Sequence, residues 1–124
     1  AATFGQCQGA SQDLAVISNV TLSPDPPEAG SDLEVKGSAT TDDAIVVGDS
    51  IIFAIVDAVT NDTIFLSPFV NICLNTTCPT KTITFDEHYN LLNVTSLPAE
   101  YYVGVLIGSD LSKIKACGEA LLPE

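Results

Sequence analysis

At 124 residues and 13.0 kDa the chain is long enough for one hydrophobic core and too short for two, so residues 1–124 read as a single domain. A hydrophobic fraction of 46% excludes a disordered chain, and the longest apolar run, residues 51–56, falls far short of the roughly 20 residues a bilayer-spanning helix requires. Four lysines and no arginine stand against 16 acidic residues, a formal charge of −12 that leaves no basic patch for nucleic acid or an anionic membrane surface and reads as a solvated exterior.

Residues 1–13 form a polar lead-in whose one anchor is Cys7, and the start at Ala1 without an apolar h-region predicts that a signal peptide has been removed. Leu14, Val16, Val20 and Leu22 alternate with Asn19 and Thr21, which predicts one strand with Asn19 outward. Residues 23–30 carry three prolines and a closing glycine and break it. A second strand alternates Leu33, Val35, Gly37 and Ala39 with polar residues and ends in an acidic turn at 40–44. Ile45-Val46-Val47, a Gly48-Asp49 turn and residues 50–57 follow as strand, turn and strand, the last apolar on both faces and therefore central.

After a turn at Thr60-Asn61-Asp62, residues 63–72 return with Pro68 in their middle, the mark of an edge or bulged strand. Cys73 and Cys78 bound a tight loop, residues 81–85 alternate with Ile83 and Phe85 inward, and residues 86–90 read as coil. Near the C-terminus, Tyr101, Val103, Val105 and Ile107 share one face of a strand whose other face carries Tyr102 and Leu106. Gly108-Ser109-Asp110 reads as the turn, and the return strand sets Ile114 and Ala116 against Lys113 and Lys115. Seven to eight short antiparallel strands with no helical periodicity predict an all-β sandwich.

Four cysteines form an even set without a Cys-x-x-Cys, and the single histidine, His88, completes no zinc site, so disulfides are expected; three pairings are open. Of six asparagines, Asn19, Asn61, Asn75 and Asn93 begin Asn-x-Ser/Thr sequons, where chance gives about one. Both features predict a secreted or lumenal glycoprotein. Catalytic motifs are missing: there is no Gly-x-Ser-x-Gly elbow, phosphate loop or His-Glu-x-x-His, so no enzyme and no cofactor are expected. Asp42, Asp43 and Asp49 do not follow the calcium-loop pattern, and no metal is expected.

Residues 22–30 (LSPDPPEAG), the Cys73…Cys78-Pro79 loop, Leu97-Pro98 before the Tyr101 strand and a late Cys117 together resemble the ML lipid-recognition domain. The resemblance is closest to fungal phosphatidylglycerol/phosphatidylinositol transfer proteins and more distant to the lysosomal sterol carrier of Niemann-Pick type C disease. It spans residues 7–120. It implies an immunoglobulin-like β-sandwich with slightly parted sheets, bridges Cys7 to Cys117 and Cys73 to Cys78, and a monomer in the secreted or vacuolar/lysosomal space. The implied partner is a lipid (a sterol, fatty acid or phospholipid tail) handed on through transient membrane or receptor contact. The third disulfide of the sterol carrier has no cysteines here, and the approach at residues 97–101 is shorter than the family's.

The inward residues Phe53, Ile55, Phe65, Phe69, Phe85, Tyr101, Val103, Val105 and Ile107 are the expected cavity lining. Phe65 lies eight residues before Cys73, where the sterol carrier has a pocket phenylalanine. Inward aromatics are more often plain core, so the residues alone do not demand a cavity. Two other readings of the same chain are a lipid-presenting or allergen-like binding module and a structural immunoglobulin-like domain with a filled core.

Overall fold

The computed structural model describes residues 2–7 and 14–122. Among these, nine strands follow one another: β1 (Ala15–Val16), β2 (Asn19–Ser23), β3 (Asp32–Ile45), β4 (Ser50–Asp57), β5 (Thr63–Leu66), β6 (Val70–Asn71), β7 (Thr80–Asn90), β8 (Tyr101–Asp110) and β9 (Lys113–Leu122). The larger sheet runs β1-β9-β8-β4-β5, with β6 also paired to β4, and the smaller runs β2-β3-β7. The architecture is the expected all-β sandwich. Its one departure from antiparallel pairing is β1, which runs parallel to β9.

Strands β4 and β8 sit at the centre of the larger sheet, paired from Ser50↔Gly108 to Asp57↔Tyr101, as their two-sided apolarity predicts. Their inward residues Phe53, Ile55, Val103, Val105 and Ile107 are at most 1% exposed and pack against Leu33 and Val35 of β3. Each such side chain contributes on the order of 1.5–3 kcal/mol by leaving water. Pro68 interrupts the return strand as expected, dividing it into β5 at the sheet edge and β6.

Six sequence expectations are corrected. Residues 14–22 are not one strand: β1 pairs with β9 and β2 with β3, so the chain changes sheets at Ile17-Ser18, which buries Ile17 and turns Val16 outward. The close passage needs Gly118, whose Cβ would strike the Ile17 carbonyl. Residues 40–44 do not turn but carry β3 onward through an irregularity, where buried Thr41 donates its hydroxyl to the Asp43 carbonyl at 2.7 Å. Ile45 closes β3, and Val46 and Val47 lie exposed in the turn that follows.

Residues 86–90 are strand rather than coil, because β7 stays in register with β3 and sets Asp86 against Lys36 and His88 against Glu34. The final hairpin turns at residues 111–112, where Asp110 accepts the Ser112 amide at 2.7 Å, while Gly108 lies within a β-bulge. The lead-in has more than one anchor: Phe4 is buried, and Gly5 exchanges two 2.9 Å backbone bonds with Glu119. Its residues 8–13 lie outside the described residues.

The two long edges of the sandwich differ. On one, the β1-to-β2 crossing stitches the sheets; at the strand ends, Lys115 of β9 donates to the Ala44 carbonyl at 2.8 Å and to Asp49 at 2.6 Å, tying the larger sheet to the end of β3. On the other, β6 leads through a 3₁₀ turn (Ile72–Leu74) and the Cys73–Cys78 loop into β7.

Candidate functional site

Three rings from three strands meet between the sheets near this second edge. Phe53 of β4 stacks on Tyr89 of β7, with centroids 5.1 Å apart and planes at 12°, and Phe65 of β5 closes on both at 6.2 and 6.1 Å. Such pairs add about 0.5–1.5 kcal/mol each beyond their buried area. Ser67, close enough to the Tyr89 phenol to act on its titration, accepts the Phe53 amide at 2.8 Å and donates to the Pro68 carbonyl at 3.0 Å. Burial first, then the Glu87 carboxylate, pushes the Tyr89 phenol up to about 12, with Ser67 opposing.

Beside the trio a cavity of about 230 Å³ opens between β4, β6 and β7. Its apolar wall is Ile51, Val70, Ile72, Ile83 and Phe85, and Asn71, Asn75 and Thr76 stand at its rim. Glu87 also lines it. Because Ile83, Phe85, Glu87 and Tyr89 share the inward parity of β7, this carboxylate lies on the core side of the strand, opposite buried Val35. Burial and the adjacent Asp86 raise its pKa, with His88 opposing.

The expected lining residues fall into two groups. Phe53, Ile55, Tyr101, Val103, Val105 and Ile107 are buried in the continuous core, Phe85 is buried at the mouth and half-buried Phe65 belongs to the aromatic trio. Phe69 is the exception: it is 44% exposed in the break that Pro68 imposes between β5 and β6, and it lies outside the core. Tyr89, Ser67 and Glu87 join the candidate site. The period-two pattern of residues 81–85, extended four residues, would have found Tyr89 and Glu87.

A second concavity, of about 640 Å³, lies on the opposite face of the larger sheet. Ala54, Leu66, Tyr102, Leu106 and Ile114 line it, with the Cys7–Cys117 bridge at its border. Ala54, Tyr102 and Leu106 are among the residues that make β4 and β8 apolar on both sides.

Elsewhere the charges are structural or solvated. Asp49 is buried and bound to Lys115, so it does not join exposed Asp42 and Asp43 in a cation site. On the outer face of the smaller sheet, the register brings Glu34 and Asp86 to 3.5 and 3.6 Å from His88, whose side chain is largely exposed. Protonated, this imidazole bridges both acids. The cysteines pair as the resemblance implies, Cys7 with Cys117 and Cys73 with Cys78, and all four sequon asparagines are exposed. No described helix is long and apolar enough to cross a membrane.

A family model described as the ML domain matches residues 1–113. No curated protein matches the chain.

Proposed function

The chain belongs to the ML domain family, whose members generally bind lipids, and from that premise we propose that it is a non-catalytic carrier holding one lipid tail between its two sheets. The observation that carries this reading is the Phe53, Phe65 and Tyr89 cluster beside a mouth whose Ile51, Val70, Ile72, Ile83 and Phe85 are apolar and whose other lining is polar, on the edge away from the β1-to-β2 crossing. A mouth of about 230 Å³ is smaller than the roughly 300–1,000 Å³ typical of ligand pockets, so loading requires the sheets to part and the rings of Phe65 and Tyr89 to move aside. The β1-to-β2 crossing holds the opposite edge, which makes β5, β6 and β7 the elements that yield.

The tail of a sterol, fatty acid or phospholipid meets an almost wholly apolar wall in Phe53, Val103 and Val105, and the acidic exterior plays no part in holding it. Two disulfides fit an oxidising compartment, and four exposed sequons support a glycoprotein of the secreted or vacuolar/lysosomal space. A second reading has its own observation: the apolar groove on the outer face of the larger sheet offers an alternative seat for a tail.

Native mass spectrometry of the purified protein, with organic extraction of the same sample, tests the proposal. The carrier reading predicts one bound lipid per chain, or stoichiometric uptake of an added fluorescent sterol or fatty alcohol. Protein that neither retains nor takes up any of them is a structural domain with a filled core.

A further inference from the structure

We propose that Glu87 sets the head-group selectivity of the inter-sheet site, admitting lipids whose polar end is uncharged and donates a hydrogen bond and turning away those that end in an anion. This rests on the lipid-binding reading above and names the ligand class. Three observations support it. Glu87 is a carboxylate on the core side of an edge strand, between Phe85 and Tyr89 in inward order, and it lines the mouth beside Ile51, Val70 and Ile72.

Its carboxylate has no hydrogen-bond or ion-pair partner among the described residues, so an acceptor stands open where a tail would end. A half-buried acceptor gains most from a donor that arrives with the ligand. Finally, no cation lines the mouth. The chain has no arginine, Lys115 is engaged with Asp49, and Lys36 faces outward, while Asp86 adds a second negative charge at the rim. A fatty-acid carboxylate or a phosphate seated there meets like charge in a poorly solvated place. A sterol or alcohol hydroxyl meets its partner.

A matched pair of fluorescent polyene probes, cis-parinaric acid and the corresponding primary alcohol, separates charge from tail shape. At pH 7.4 and fixed salt, the wild-type protein is expected to bind the alcohol about tenfold more tightly than the acid. Glu87→Gln keeps the shape and removes the charge. It should strengthen acid binding by about tenfold and change alcohol binding by less than about threefold, and Glu87→Lys should reverse the preference. Equal binding of the two probes by the wild type, or a preference unchanged in Glu87→Gln, would overturn the inference and leave the carrier reading intact. Failure of both probes to bind at all would remove the carrier reading and this inference with it.

Discussion

Tyr89 joins the two sheets through its ring, stacked on Phe53 of the larger sheet. Its neutral form is favoured in the folded protein, since burial pushes its pKa to about 12 against an ordinary value of 10.0. Between these values the unfolded chain releases the phenolic proton and the native chain retains it, so this part of the stability is intact below pH 10 and is lost as the pH rises to about 12. Urea unfolding at a series of alkaline pH values should therefore give a steeper decline for the wild type than for Tyr89→Phe. At neutral pH, where both chains are uncharged at this position, the two should differ by no more than about 1 kcal/mol. Equal pH slopes would contradict the environment assigned to this ring.

Val105 tests the interior at the same scale. It is 1% exposed in a continuous core. Val105→Trp should cost about 1–3 kcal/mol through overpacking and, by occupying the space a tail must enter, reduce binding of a fluorescent sterol more than tenfold. Fluorescence titration beside a thermal melt reads both effects. A folded Trp variant that binds normally would move the ligand elsewhere.

At the scale of elements, the Asp49 and Lys115 pair ties β9 to the turn between β3 and β4. Asp49 is almost fully buried, its side chain 3% exposed, so Lys115→Met leaves a carboxylate with only the Val46 amide as a hydrogen-bond donor among the described residues. The expected loss is about 3 kcal/mol, read by denaturant unfolding, and replacing both residues together should recover part of it. Full additivity in that double-mutant cycle would mean that the pair is not coupled.

Elements were legible in the residues to unequal degrees. Strands β4 and β8 announce themselves because both their faces are apolar, and the break at Pro68 follows from a missing amide donor. The fate of residues 86–90 was hidden: Asp-Glu-His in succession looks like a solvated turn, and only the opposing Lys36 and Glu34 across β3 make their outward positions favourable. Likewise, the alternation of residues 14–22 carries no sign that the chain changes sheets after Val16. That depends on β9, about 100 residues away in sequence, offering its edge. Glu87 was missed with its neighbours: the alternation of residues 81–85 reaches it only if the strand continues through the polar residues 86–90, as β7 does.

For the whole molecule, the two bridges differ in reach. Cys7 and Cys117 are 110 residues apart, and in the chain-entropy account closing that loop stabilises the fold by about 4–5 kcal/mol, against about 2 kcal/mol for the five-residue separation of Cys73 and Cys78. Replacing both cysteines of the long bridge with alanine should lower the melting temperature clearly more than the same change in the short one. The short bridge shapes the loop between β6 and β7, so its loss should register more in lipid exchange rate than in melting temperature.

Where the lipid sits is the central claim, and the molecule has two concavities, one at the mouth between the sheets and one on the outer face of the larger sheet. Photo-crosslinking with a fatty alcohol that carries a diazirine near the end of its tail, followed by peptide mapping, distinguishes them directly. Adducts are expected on Phe53, Phe65, Tyr89 or Val105, between the sheets. Adducts confined to Leu66, Tyr102 and Leu106 would put the tail in the outer groove and contradict the account.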